Sequence, residues 1–375
     1  MKFLPFIAMS SETSQQEIQF DFQGIITLLA KHLYSERKVF IRELIQNAHD
    51  AIRRRMAAEP GFGGRIDIYC RPEDDRITFQ DNGLGMNRGD LENYLSSIGA
   101  SGTREAKEIE GVIGQFGIGF LSAFVVADTV EVLTRRAGES EGWRWFNTGD
   151  KQYTLEPVEV PAAGTTVHVK LKEIGDHALI ADDRVKEVIR QYCDLLLVPI
   201  HVGASEAPIN AIHMPWEREG VSDEERRFDC MIYLEKRMRD SVLETIPIRL
   251  MGEIEAKGVL YISRARMIMI EPPRTVRVFQ KRMFLCETAT DRLPKWATFV
   301  NGVIDTPALT PTAARDNFQR DEKPLADCAK PSAMPSSAIL KASRAVTGTA
   351  STTSLISIPS PSVLPAISTT SSSIS

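Results

Sequence analysis

Glu43, Asn47 and Asp50 stand at i, i+4 and i+7, a spacing that puts all three side chains on one helical face. That face carries a carboxylate, an amide and a second carboxylate with no cation between them. Glu43 is placed to act as a general base that polarises a water. Asn47, one turn on, offers a neutral oxygen to Mg²⁺, a metal that takes few protein ligands and completes its shell with phosphates and waters. Asp50 would orient the helix or a bound water. The competing reading is the solvated polar side of an ordinary amphipathic helix, and so short a pattern does not by itself decide between the two.

Two glycine-containing loops follow. In Asp81-Asn82-Gly83-Leu84-Gly85-Met86 a carboxylate sits where a strand breaks into a turn. A buried Asp81 there could accept a hydrogen bond from an exocyclic amine such as adenine N6, and Gly83 and Gly85 would let the backbone pass close to a flat base. An ordinary Asp-Asn-Gly turn is the alternative. In Gly114-Gln115-Phe116-Gly117-Ile118-Gly119-Phe120 the backbone N–H groups ahead of an apolar helix could cradle phosphates without basic side chains. The spacing is neither GxxxxGK[ST] nor GxGxxG, so a P-loop and a Rossmann loop are both disfavoured. Gly164-Thr165-Thr166 is a weaker signal, with a strand-entry turn as its plain alternative.

The elements that must position these residues follow from periodicity. Ile25, Leu28, Leu29 and Leu33 make one helical stripe, and Val39, Ile41, Leu44, Ile45 and Ala48 a second, closed by Pro60-Gly61. Alternation predicts strands at Ile66–Ile68 and Ile77–Phe79 around the turn 72–75, and again at 129–133 and 166–171. Between them lie a polar stretch from Ser96 to Gly114 and an apolar helix from Gly119 to Ala127. From about Asp182 a second α/β region is expected, with a helix at 184–197 and strands at 228–234, 257–262 and 276–284. The predicted fold class is α/β (α+β), a two-layer sandwich followed by a further α/β domain.

With 375 residues the chain has room for two cores. Charged residues at 25% and hydrophobic ones at 43% are ordinary for a globular protein, and a net charge of −5 gives no reason to expect nucleic acid as the main partner. Cys70, Cys193, Cys230, Cys286 and Cys328 are scattered without a CxxC pair, which reads as reduced thiols of a cytoplasmic protein. No run approaches the ~18 apolar residues of a membrane span. The start, Met1–Met9, is too short and too interrupted by Pro5 for a secretion signal. Beyond Asp321 serine, threonine, proline and alanine dominate and no charge follows Arg344, so the tail is expected to be disordered.

The order of these pieces resembles the superfamily of gyrase, heat-shock protein 90, histidine kinase and mismatch-repair ATPases, with their Bergerat nucleotide fold. Phe40–Asp50, Ser101-Gly102-Thr103 and Gly114–Phe120 resemble heat-shock protein 90 in particular, including its bacterial form. The resemblance extends through Leu293-Pro294-Lys295-Trp296, Phe299–Asp305 and Ala314-Arg315-Asp316, which are similar to that family's middle domain. It implies an N-terminal extension at 1–20, a Bergerat-fold ATP-binding domain at 21–175, a partial middle domain at 182–320 and a frameshifted or disordered tail at 321–375.

By the same resemblance the chain is an ATP-dependent chaperone. Glu43 would be the catalytic base, Asn47 the Mg²⁺ and phosphate contact, and Asp81 the adenine anchor. Asp50, Gly85, Met86, Phe120 and Thr165 would border the nucleotide, with Gly114, Gln115, Phe116, Gly117 and Gly119 on its phosphates. Arg315, supported by Gln319, would reach the γ-phosphate. Unfolded or partly folded client proteins are the implied partners, with neither nucleic acid nor membrane. The family is homodimeric, and its dimerisation domain is expected to be missing here, which would weaken turnover. Two departures stand out: the family places a lysine where Ala100 stands, and a smaller or hydrogen-bonding polar residue where Tyr94 stands. Rival readings are a nucleotide-gated interaction module without productive turnover, and a signalling kinase, which would need a phospho-acceptor histidine on a preceding helical bundle.

Overall fold

The computed structural model describes residues 24, 26, 36–95, 119–172, 174–251, 255–264, 275–287, 300–307, 309 and 312. The expectations for 1–20, 96–118 and 321–375 fall outside them. The long helix α1 (Val39–Ala58) buries Phe40, Ile41, Leu44, Ile45, Ala48 and Ile52, at the spacing the sequence shows. Those side chains meet Ile66 and Ile68 of β1 (Ile66–Arg71) and Ile77 and Phe79 of β2 (Arg76–Asp81) in one core. Phe40 and Phe79 pack edge to face with ring centroids 6.4 Å apart.

β1 and β2 belong to a seven-stranded sheet completed by β3 (Ala127–Arg135), β4 (Gly142–Asn147), β5 (Tyr153–Val158), β6 (Gly164–Leu171) and β7 (Ile200–Val202). Its order is β5-β4-β3-β6-β2-β1-β7. Neighbours are antiparallel except β7, which lies parallel to β1. Helix α2 (Asp182–Tyr192) also buries Val185, Val188 and Ile189 in this core. The segment after Asp182, expected above to open the second region, therefore closes the first.

A second, five-stranded sheet has the order β11-β10-β12-β9-β8, from β8 (Val242–Leu250), β9 (Ala256–Ser263), β10 (Val276–Gln280), β11 (Met283–Cys286) and β12 (Val300–Asp305). Helix α3 (Asp223–Met238) packs Cys230, Tyr233 and Leu234 against it.

Four expectations need correction. Residues 228–234 form part of α3 and not a strand: Ser222 and Glu225 make a reciprocal capping box, and acidic residues fill the first turn. The run 276–284 is two strands, because Lys281 and Arg282 adopt φ of 49° and 69° and turn the chain into a hairpin. The helix expected at 119–127 is a 3₁₀ turn Gly119–Ser122 followed by Ala123–Val126. Lys172 N–H takes the Val126 carbonyl at 2.9 Å and Ala127 pairs with Leu171, so the sheet captures the chain there. Finally, α2 stops at Tyr192, because the Asp194 carbonyl accepts from Ala211 N–H at 2.8 Å and its carboxylate accepts from Tyr233 Oη at 2.9 Å.

Ile45 is fully buried at the centre of the α1–sheet contact. Ile45→Ala is expected to cost about 2–5 kcal/mol of unfolding free energy, read from the midpoint of denaturant unfolding at unchanged slope.

Candidate functional site

Along α1, Arg42 and Glu43 are buried, Asn47 is exposed, and Asp50 is buried again. The three-residue face is therefore not a solvated stripe. Two carboxylates are withdrawn from water and flank one open amide. Arg42 Nε and Nη2 donate to Glu43 Oε1 at 3.0 and 2.8 Å. The other oxygen of Glu43 faces Gly119, where an added Cβ would overlap Oε2. The last glycine of the second loop thus leaves Glu43 Oε2 its room. Asp50 Oδ1 lies 3.3 Å from His49 Nδ1 within the same turn.

Asp81 closes β2, opposite Thr165 of β6 and Ile66 of β1. Its Oδ1 accepts from Gly83 N–H at 2.8 Å. Burial pushes the carboxyl up to about 7, against the lowering pull of the Gly83 and Thr165 backbones and the Arg54 charge. The turn beyond it is pressed onto α1: a Cβ on Gly83 would lie 2.7 Å from Ala51 C and Ile52 N, and Leu84 N–H donates to Ala51 O at 3.0 Å. Gly85, at φ 69°, leaves no space between itself and the Arg135 backbone for a side chain, so both glycines are structurally required.

Met86 N–H donates to Thr134 Oγ1 at 2.9 Å. That hydroxyl donates to Gly164 O at 2.9 Å and lies 3.1 Å from Thr165 Oγ1. Phe120 packs edge to face on Trp145 and Phe124, centroids 5.7 and 6.2 Å away. Asp81, Thr165, Gly85 and Met86 thus share one end of the sheet. Glu43, Asn47 and Asp50 lie along the helix beside it, with Gly119 and Phe120 at its other end. Gly114, Gln115, Phe116, Gly117, Arg315 and Gln319 lie outside the described residues, as do Ala100 and the Tyr94 side chain.

Three neighbours escaped the sequence reading. Thr134 had a signal: it continues the inward alternation Val130, Val132 of β3, and a hydroxyl at a core position needs a partner. Arg42 had none, since adjacent helical residues do not face one another. Arg54 is charged, close to Asp81, and its buried Nε has no hydrogen-bond partner among the described residues. A buried donor left so is costly.

Residues 34–172 match the family model described as histidine kinase-, DNA gyrase B-, and HSP90-like ATPase, and residues 209–323 match the model described as Hsp90 protein. The chaperone protein HtpG of Methylorubrum populi is 34% identical over 342 residues, covering 83% of this chain and 54% of the relative. Its counterpart from Roseobacter denitrificans is 31% identical over 318 residues, covering 80% and 51%. The chain spans about half the length of the relatives it matches.

Burial raises the folded carboxyl of Asp81 from its ordinary 3.8 to about 7, so the folded state binds this proton more tightly than the unfolded one. Its contribution to stability is then largest below about pH 4 and is lost as pH rises to 7. Asp81→Asn is expected to flatten that slope, and unfolding midpoints of both proteins from pH 5 to about 8 check it.

Proposed function

We propose that the chain, which matches the histidine kinase-, DNA gyrase B-, and HSP90-like ATPase model over residues 34–172 and the Hsp90 protein model over residues 209–323, is of the heat-shock protein 90 family, and that it binds ATP and hydrolyses it to ADP and phosphate as part of a chaperone cycle. One observation carries this reading. A desolvated carboxyl, Asp81, ends β2 at a turn packed on Ala51 and Ile52 of α1, and about two helical turns earlier the buried Glu43 turns its Oε2 toward Gly119. From Glu43 to Ala51 the helix rises about 12 Å at 1.5 Å per residue, a span comparable with a nucleoside triphosphate from its base to its last phosphate.

In this reading Asp81 accepts from the adenine amino group, and Gly85, Met86 and Thr165 border the base. Asn47, the open amide between two buried carboxylates, would hold Mg²⁺ through its oxygen, and the metal would supply neutralisation of phosphate charge. Asp50 orients the helix and bound water, and Phe120 follows the glycine loop 114–119 that wraps the phosphates. Glu43 takes the proton of the attacking water, with Oε2 turned toward Gly119 and Oε1 neutralised by Arg42. Arg315 and Gln319, which follow β12 in the chain, stabilise charge on the transferred phosphoryl group. Client proteins, homodimeric assembly in the whole protein and a cytoplasmic location follow from the family.

Titration calorimetry with Mg²⁺-ATP tests this directly. Wild type is expected to bind, and Asp81→Asn to lose about 10–150-fold in affinity, the equivalent of a hydrogen bond to a charged group. Glu43→Ala is expected to bind as wild type does while turnover falls about 10²–10⁴-fold. Binding by wild type without any turnover would leave a nucleotide-gated interaction module. No binding at all would overturn the proposal.

A further inference from the structure

Arg42 grips Glu43 from the adjacent helical position, and neighbours in a helix point in different directions. Something outside α1 must hold the guanidinium bent toward the carboxylate. Among the described residues the ring of Tyr192, the last residue of α2, lies against it, its centroid 5.6 Å from Arg42 Cζ. Tyr192 is itself fixed from three sides. Its hydroxyl donates to Glu36 Oε2 at 3.0 Å. Lys38 Nζ lies 5.5 Å from its ring. Phe284 of β11 packs edge to face on it, 5.7 Å away.

Phe284 belongs to the β10–β11 hairpin of the second sheet. Arg277 of β10 lies over the Phe284 ring at 5.2 Å and donates to Gln191 O at 3.0 Å. Met283, next to Phe284, is buried in the first core. The hairpin is therefore seated on the first core through the residue beside Tyr192.

We propose that Tyr192 is a positioning residue for ATP hydrolysis, holding Arg42 on Glu43 Oε1 so that Oε2 faces the glycine loop, and that the β10–β11 hairpin sets its position through Phe284. The proposal rests on the ATPase reading above. It links the seating of the second sheet to the base by a continuous chain of contacts, Phe284 to Tyr192 to Arg42 to Glu43. Because the side chains placed against the Tyr192 ring and hydroxyl among the described residues are Glu36, Lys38, Arg42 and Phe284, its loss acts on turnover and not on binding.

The experiment compares Tyr192→Leu, Tyr192→Phe, Phe284→Leu and the Tyr192→Leu/Phe284→Leu pair in the full chain. ATP turnover, ATP affinity by calorimetry and hydrogen exchange of the Arg42 Nε–H by NMR are measured for each. Tyr192→Leu is expected to lower kcat about fivefold or more at unchanged affinity and to speed Arg42 exchange, while Tyr192→Phe, which keeps the ring, restores both. Phe284→Leu moves the same quantities in the same direction, and the pair is no worse than Tyr192→Leu alone. Wild-type kcat and wild-type Arg42 exchange in Tyr192→Leu would overturn the proposal, as would affinity falling in step with kcat. Should Tyr192→Leu fail to fold, unchanged Arg42 exchange in Phe284→Leu overturns it equally. A wild type without turnover would sink the ATPase reading, and Arg42 exchange would still decide whether Tyr192 holds the guanidinium.

Discussion

Helix α1 is pressed onto the turn after β2 more closely than any side chain at Gly83 would permit, and most of the site depends on that contact. A helix at this distance excludes water from the end of β2, and Asp81 is desolvated as a result. The same packing buries Glu43 and Asp50 on the helix itself while leaving Asn47 open. Ile41, Ile45 and Ile52 provide the apolar area that drives α1 onto the sheet. The polar groups are carried into the interface by residues that have no chemistry of their own.

Burying charge in this way costs free energy unless each group is partnered. The structure treats its carboxylates differently. Glu43 is paired with a full positive charge from Arg42. Asp81 receives backbone N–H donors and the more distant charge of Arg54, which do not offset its desolvation, and its affinity for a proton rises accordingly. Two carboxyl groups on one helix–sheet contact are thereby given different surroundings, one held by a neighbouring cation and the other by backbone N–H groups in a desolvated turn.

The second sheet is joined to this arrangement by polar side chains whose partners lie on both sides of the junction. Asp194, just past α2, takes Tyr233 Oη of α3 at 2.9 Å and Arg237 Nη1 at 3.2 Å. On the first side alone, Asn210 ties the loop around β7, accepting from Ile200 N–H and donating to the carbonyls of Leu196 and Val198. Buried polar contacts of this kind fix orientation, because each has one geometry in which its donors and acceptors are satisfied. Apolar packing alone would tolerate sliding.

Local chemistry fixed much of this molecule in advance. The amphipathic stripe of α1 and the alternation of β1, β2, β3 and β6 are short-range properties, legible because period is written residue by residue, whereas the need for glycine at 83, 85 and 119 comes from Ala51, Arg135 and Glu43, which the fold brings against them. Phe228–Leu234 misled for the same reason: a dense apolar run has no decisive period, and the deciding signal was the Ser222–Glu225 cap upstream. The hairpin at Lys281–Arg282 gave no warning, since two basic residues in left-handed conformation carry no glycine signature. What only the tertiary structure decided were the pairings between distant segments: β7 beside β1, Thr134 under Met86, and Tyr192 against both Arg42 and Phe284. These depend on which surfaces exclude water from one another, a property of the folded chain that no window of the sequence contains.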